Sequence, residues 1–131
     1  MTAPPQRLLI VLWSCGPDRP GGAALVAAPL VYALAARALD VEVELHFAAS
    51  TVRWLLDDAA AKATTDAAGS KTVLDFLVEC RTAGVKMYAC AMALAEHRRA
   101  GAVLRPEPDG VAGAATVVGA TLEPGVRSLV F

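Results

Sequence analysis

The residues best suited to chemistry in this chain are its three cysteines, Cys15, Cys80 and Cys90. Cys90 follows a short apolar run, "VKMYA" (85–89), and is followed at once by a helix-like stretch, "AMALAEH" (91–97). A thiol held where a strand ends and a helix begins lies close to backbone N–H groups, which favour the thiolate form. Because free cysteine is also among the most buried residue types, an unreactive packed thiol is the alternative interpretation of Cys90.

Cys15 occupies a comparable position at the end of another apolar run, "RLLIVLWS" (7–14). If the first and third strands are neighbours, their axes lie about 4.8 Å apart, and the two thiols share a crevice with the "GPDRPGG" loop (16–22) as one wall. We then expect Cys90 to be the more acidic thiol, and Cys15 at most to form a reversible disulfide with it. The alternative for Cys15 is a loop thiol without a role. Cys80 falls at core spacing in a predicted helix, so we expect it to be packed and inert.

Other groups of residues that could bind a phosphate or a metal, or act in catalysis, give only weak signals in this sequence. The 16–22 loop lies between a strand and a helix, but it has neither of the glycine patterns that bind nucleotide phosphates, so we expect no nucleotide cofactor. His46 lies within a strand, and no Cys/His cluster has zinc spacing, so we expect no metal site. His97, near the end of a helix, is interpreted as a solvated cation that suits the helix dipole.

The elements that must position the cysteines alternate between strands and helices. Apolar runs predict strands near residues 8–13, 42–47, 85–89 and 126–130. The alternating pattern of 41–48 indicates one better-buried face and predicts a strand near a sheet edge. Helical patterns fill the intervals, the last at 111–122, so the order predicts an α/β protein with three layers, α/β/α, and a mostly parallel sheet of about four to five strands. Sites in such sheets form beyond the carboxyl ends of the strands, where Cys90 lies.

Length and composition bound the class of protein. The 131 residues predict a single domain, 1–131, that buries about two-thirds of its unfolded surface. The chain is 56% hydrophobic and 19% charged, with a mean hydropathy of +0.48, and we expect the apolar surplus to cover a subunit interface. With a net charge of −1 and 5% aromatic residues, the chain offers neither a basic stripe nor a set of stacking rings. We therefore expect no nucleic-acid partner.

No apolar run suits a membrane or an export signal. The longest, 24–39, contains Pro29 and Arg37 and stops short of the ~20 residues that a span needs. The run Leu8–Trp13 is shorter than the ~7–15 residues typical of a secretory signal. We therefore expect no membrane association and a cytoplasmic location. In that reducing compartment an odd number of cysteines argues against a disulfide framework and leaves at least one thiol free.

Two segments carry a resemblance to a known family. The stretch "GVKMYACAMA" (84–93), followed by "DGVAGAATVVGATLEPGVRSLVF" (109–131), resembles the DsrE/DsrF/DsrH family of sulfur-relay proteins, and the likeness extends in order and length over nearly the whole chain. The resemblance implies a flavodoxin-like α/β/α fold and a homo-oligomer, a trimer or a hexamer. By motif position it also implies that Cys90 carries sulfane sulfur as a persulfide, received from a donor protein and passed to an acceptor. Cys15 would then at most resolve this persulfide and so release the sulfur.

Two functions of different classes follow. The first is a sulfur carrier or sulfurtransferase without a cofactor, and whether the chain is itself an enzyme stays open. The alternative is a non-catalytic oligomeric protein of the same fold whose crevice binds a small ligand or a partner segment. Sulfur uptake on Cys90 separates them, since only the carrier gains a sulfur atom.

Overall fold

The computed structural model describes residues 6–131. Residues 1–5, which belong to the predicted domain 1–131, lie outside the described residues. The strands are β1 (Arg7–Leu12), β2 (Glu42–Phe47), β3 (Lys86–Cys90), β4 (Gly110–Ala112) and β5 (Val126–Val130). The helices are α1 (Gly22–Ala38), α2 (Ala59–Lys62), α3 (Val73–Thr82), α4 (Ala91–Arg99) and α5 (Ala114–Thr121), with a 3₁₀ helix at Ala49–Leu55.

In the described residues the strands form one parallel sheet in the order β4-β3-β2-β1-β5. The predicted parallel α/β fold is confirmed, with each of the predicted strands in place. The flavodoxin order is 2-1-3-4-5, so this sheet shares the layers of that fold but has its own strand order. A fifth strand, β4, lies where the sequence predicted the start of a helix at 111, because three residues are too few to produce a periodic pattern.

The prediction that the second strand lies near a sheet edge is wrong, because β2 is the central strand. Its alternation has a different cause, which is the unequal cover of the two faces of the sheet. Val43, Leu45 and Phe47 are buried in the main core. The residues between them, Glu44 and His46, point to the other face, which α5 covers around His46.

The helices divide unequally between the two faces. We call the face that carries Ile10, Leu45 and Met87 the first face, and the opposite face, with Leu9 and His46, the second face. The first face packs with residues of α1, α3 and α4 in one apolar core; those residues are Val26, Leu30, Ala33, Val73, Leu77, Cys80 and Leu94. The chain then crosses from β4 at one edge of the sheet to β5 at the other edge through α5. This crossover runs in the opposite direction to those that join β1 to β4, so a right-handed connection places α5 on the second face.

A capping box fixes the start of α3. The Thr72 side chain accepts a hydrogen bond from the Asp75 backbone N–H at 3.1 Å, and the Thr72 backbone N–H donates to the Asp75 carboxylate at 2.9 Å. This reciprocal pair satisfies donors that a helix N-terminus otherwise leaves free. It anchors α3, which contributes Leu77 and Cys80 to the core beneath the first face.

Candidate functional site

A crevice opens at the carboxyl ends of β3 and β4. The helix after β3, α4, packs on the first face through Leu94, whereas the helix after β4, α5, lies on the second face. Adjacent strands whose connections leave to opposite sides form a topological switch point, which is where α/β sheets hold their sites. Cys90 ends β3 and is paired in register with Ala112 of β4. The chain therefore places Cys90 directly at the switch point.

Cys90 lines a small cavity of about 160 Å³ between the sheet and α5. The other residues that line it are His46 and six small apolar residues, which are Val11, Ala48, Ala112, Ala114, Val117 and Val118. Cys90 is half-buried and is the N-cap residue of α4, with extended backbone angles, φ −64° and ψ 126°. The N-terminus of this nine-residue helix favours negative charge on a nearby thiol.

His46 is the functional candidate that the sequence did not single out. It is 6% exposed, lines the same cavity as Cys90, and stacks on Tyr88 with ring centroids 5.2 Å apart. Among residues 6–131, its Nε2 is buried without a hydrogen-bond partner. The signal in the sequence was its position, because His46 is the second-last residue of β2 and falls on the second face with Glu44.

The electrostatic surroundings of His46 come from two neighbouring charges. Its Nε2 lies 3.9 Å from Glu44 Oε1, which is too long for a hydrogen bond. Glu44 is itself tied by Arg7, whose Nε donates to Glu44 Oε2 at 2.6 Å. Burial lowers the pKa of His46; Glu44 opposes this shift and Arg7 adds to it. The imidazole is therefore neutral at neutral pH, beside a fixed carboxylate.

Cys15 does not share this cavity. The premise that β1 and β3 are neighbours is wrong, because β2 lies between them and places their axes about 10 Å apart. Cys15 lines a separate cavity of about 170 Å³ with Arg19, Leu25 and others, so the 16–22 loop forms a wall for Cys15 alone. Burial raises the pKa of Cys15, and the geometric reason for a Cys15–Cys90 disulfide no longer holds.

The end of β1 is fixed by Trp54 of the 3₁₀ helix. Trp54 is buried, and its indole Nε1 donates a hydrogen bond to the Cys15 carbonyl at 2.7 Å. Thr51 adds a second tie, since its hydroxyl donates to the Leu12 carbonyl at 2.6 Å. These bonds hold the segment after β1 against the first face, away from the cavity of Cys90.

The other sequence candidates lie outside the crevice. Cys80 is packed, as predicted: it is fully buried, its Sγ lies 3.6 Å from the Leu30 carbonyl oxygen, and burial raises its pKa to about 12. Lys86, which shares strand β3 with Cys90, lies at the amino end of that strand, and its Nζ is 3.7 Å from Asp109 Oδ1. His97 lines a different, open groove of about 600 Å³ with Trp13 and other residues.

Neither a metal cluster nor a membrane helix is found in the described part of the chain. Within residues 6–131, no three His, Cys, Asp or Glu side chains come together in a way that could hold a metal ion. No helix there is both long and apolar enough to cross a bilayer. The polar side chains that line the Cys90 cavity are the Cys90 thiol and the His46 imidazole.

Comparison with known proteins decides the family. The model of the DsrE/DsrF-like family matches residues 17–129. This chain belongs to the DsrE/DsrF-like family. The match includes Cys90 and every residue that lines its cavity except Val11, and it confirms the resemblance noted in the sequence. The family is of the sulfur-relay type.

A solved structure shows the same fold. The crystal structure of the ychN protein from E. coli superimposes on this DsrE/DsrF-like chain with a TM-score of 0.69 at 14% sequence identity. The alignment covers 97% of this chain and 99% of that one, so the two chains share the fold over nearly their whole length. No curated protein matches the sequence significantly.

Proposed function

We propose that this DsrE/DsrF-like chain is a sulfur carrier that holds sulfane sulfur as a persulfide on Cys90. The observation that carries the proposal is the placement of Cys90, a half-buried thiol at the switch point and at the N-terminus of α4. Attack on a donor sulfane requires a thiolate that a partner can reach. Cys15 and Cys80 are buried, and burial raises the pKa of each.

The size of the cavity favours sulfur over a larger ligand. Pockets for small molecules usually measure about 300–1,000 Å³, and the Cys90 cavity is only about 160 Å³. A water molecule takes about 30 Å³ of liquid volume, so a cavity of about 160 Å³ has ample room for one added sulfur atom. The alternative, a non-catalytic protein that binds a small ligand in this crevice, is less well supported because the cavity is smaller than such pockets.

Loading with a sulfane donor tests the proposal. The reduced protein is incubated with a small-molecule persulfide, and the peptides are analysed by mass spectrometry without reductant. We expect the gain of one sulfur atom on the Cys90 peptide, its loss in Cys90→Ser, and its retention in the matched control Cys80→Ser. Absence of a sulfur adduct in the wild-type protein, despite a free Cys90 thiol, would contradict the carrier function.

The role predicted for Cys15, which is to release the sulfur, stays a prediction. The Cys15→Ser protein tests it in the same experiment, with an acceptor thiol added after loading. Slower release with normal loading would support a role for Cys15. Release at the wild-type rate would leave Cys15 as a packed thiol in its own cavity.

Homo-oligomer formation is part of the proposal. Large apolar side chains stay exposed around α5 and β5, including Val118 at 58%, Leu122 at 81% and Val130 at 63%. A second copy that covers α5 would also close the Cys90 cavity, because Val118 lines it. The family resemblance implies a trimer or a hexamer. Sedimentation of wild type and Leu122→Asp tests this, and a monomeric wild type at high concentration would contradict it.

Donor and acceptor proteins would approach from the carboxyl edge of the sheet. Trp13 and Met92 are 60% and 82% exposed, and both line the open groove that shares Ala48 with the Cys90 cavity. A partner presenting its own cysteine persulfide would contact this groove while reaching Cys90. A carrier that depends on a free thiol also fits a reducing compartment such as the cytoplasm.

A further inference from the structure

We infer that His46 is the proton acceptor for the Cys90 thiol and the proton donor to the thiol that leaves after sulfur transfer. The inference rests on the proposed sulfur-carrier function and assigns a second catalytic residue to the same site. The structural basis is one cavity that contains a single thiol and a single imidazole, both on the second face of the sheet.

The strand register brings the two side chains to one side of the sheet. His46 pairs with Tyr88, and Tyr88 lies two residues before Cys90 on the same strand, so all three point to the second face. With strands about 4.8 Å apart and a rise of about 3.3 Å per residue, the Cα atoms of His46 and Cys90 lie roughly 8 Å apart. Both side chains line the same cavity between the sheet and α5.

The imidazole has an unused hydrogen-bonding atom. A buried polar atom without a partner is unfavourable, and such atoms in folded proteins call for an explanation. Among the described residues, His46 Nε2 is such an atom; it lies on the Glu44 side of the ring, 3.9 Å from Glu44 Oε1, and the stacking on Tyr88 fixes the ring plane. A ring that lines the Cys90 cavity and has a carboxylate beside its Nε2 can hold a proton taken from that cavity, which would explain why a histidine occupies this position rather than an apolar residue.

The charges around His46 are compatible with a group that first accepts a proton and later donates it. On its own strand it faces Glu44, from β1 it faces Arg7, and from β3 it faces Tyr88 and Cys90; α5, which covers it, has no ionisable side chain. Burial keeps the imidazole neutral before reaction and therefore able to accept a proton. Once it is protonated, the Glu44 carboxylate at 3.9 Å stabilises the imidazolium.

The step balances without an added oxidant or reductant. His46 takes the proton of the Cys90 thiol, and the thiolate attacks the outer sulfur of a donor persulfide, R–S–SH. The Cys90 S–S bond forms as the donor S–S bond breaks, and the electron pair of the broken bond leaves on R–S⁻. His46 then gives its proton to R–S⁻, so Cys90–SH and R–S–SH become Cys90–S–SH and R–SH.

The pH profile of Cys90 alkylation tests the inference. Iodoacetamide reacts with the thiolate, so its rate constant at Cys90, measured against pH by peptide mass spectrometry, reports proton loss from that thiol. In His46→Gln we expect the profile to move to higher pH and the rate at pH 7 to fall about tenfold or more, since one pKa unit corresponds to a tenfold change. The matched control is His97→Gln, which replaces the chain's other histidine and should leave the profile unchanged. An unshifted profile in His46→Gln would overturn the inference.

A second measurement needs no substitution at His46. In the wild-type protein the histidine C–H resonances titrate by NMR, and Cys90→Ser removes the thiol while keeping the fold. We expect the titration midpoint of His46 to move in Cys90→Ser and that of His97 to stay in place, because only His46 shares a cavity with the thiol. A titration midpoint of His46 that is the same in wild type and Cys90→Ser would overturn the inference.

The outcomes separate this inference from the proposed function. If the wild-type protein takes up no sulfur but both pH measurements show coupling, the carrier function fails and the Cys90–His46 pair stands. If sulfur is loaded and neither pH measurement shows coupling, the carrier function stands and the role of His46 fails. With both correct, His46→Gln loads sulfur more slowly near pH 7 and regains rate as the pH is raised.

Discussion

Replacing Trp54 by Phe tests how the segment after β1 is held in place. The change removes the indole N–H that donates to the Cys15 carbonyl at 2.7 Å, while an aromatic ring stays in the core. The carbonyl oxygen then lies buried without this donor. The chain offers a matched control in Trp13→Phe, because Trp13 is 60% exposed and undergoes the same chemical change at the surface.

The expected loss can be estimated from the contacts. Leaving a buried acceptor without its donor costs about 1–3 kcal/mol, and the smaller ring leaves a void that adds roughly 1 kcal/mol. The two costs sum to about 2–4 kcal/mol, and we expect Trp54→Phe to lower the free energy of unfolding by about 2–3 kcal/mol, the lower part of that range, because the acceptor left without its donor is an uncharged carbonyl. For a chain of this length that corresponds to a fall in Tm of roughly 6–10 °C. Trp13→Phe should stay within about 0.5 kcal/mol of wild type.

Urea unfolding followed by far-UV circular dichroism measures both variants at one fixed protein concentration, which matters if the chain is oligomeric. With an m-value of about 2 kcal/mol/M, the midpoint for Trp54→Phe should fall by about 1–1.5 M. A loss indistinguishable from that of Trp13→Phe would refute the reasoning. It would mean that the Cys15 carbonyl finds another donor, and that the Trp54 bond does not fix the segment.

The remaining predictions concern the thiols and the start of α3. Iodoacetamide at neutral pH should label Cys90 first and Cys80 only after unfolding, because burial raises the pKa of Cys80 to about 12; faster labelling of Cys80 would reverse the assignment. Thr72→Ala should lower the free energy of unfolding by about 1 kcal/mol through loss of the cap, whereas Thr82→Ala, at the other end of the same helix, should change it little. Hydrogen bonds from Thr72 lower the pKa of Asp75, so the contribution of this carboxylate is complete above its unfolded pKa of about 3.9 and is lost as the pH falls through the lower folded value. Acid titration of stability in wild type and Asp75→Asn checks this, and the two proteins should converge once the pH lies below the folded pKa of Asp75.

The sequence predicted the parts of the fold that depend on local patterns. The strand runs near 8–13, 42–47, 85–89 and 126–130 were visible because a buried parallel strand is short, apolar and bounded by turn residues. Cys90 could be placed at a site because a strand end in such a sheet is a favoured position for chemistry. β4 was not predicted, because a strand of three residues is too short to show an alternation of buried and exposed positions.

The features that the sequence did not predict depend on strand order, which no local pattern encodes. The alternation of apolar and polar residues in β2 predicts a strand near the sheet edge, but β2 is the central strand, and the alternation reflects the different cover of the two faces of the sheet. Cys15 was expected beside Cys90, and β2 lies between their strands. His46 was set aside as a strand residue, because its presence in the Cys90 cavity follows only once β2 and β3 are known to be neighbours and in register.

The sheet order also implies an order of assembly. β1 to β4 are neighbours in sequence as well as in space, so their pairing closes short loops and is favoured early in folding. β5 pairs instead with β1, where Arg7 lies opposite Val126, and this contact closes a loop that spans nearly all of the described chain. During synthesis, β1 therefore has one unpaired edge until β5 leaves the ribosome. A nascent or truncated chain that stops within α5 exposes that edge to other chains, and we expect it to aggregate where the full chain does not.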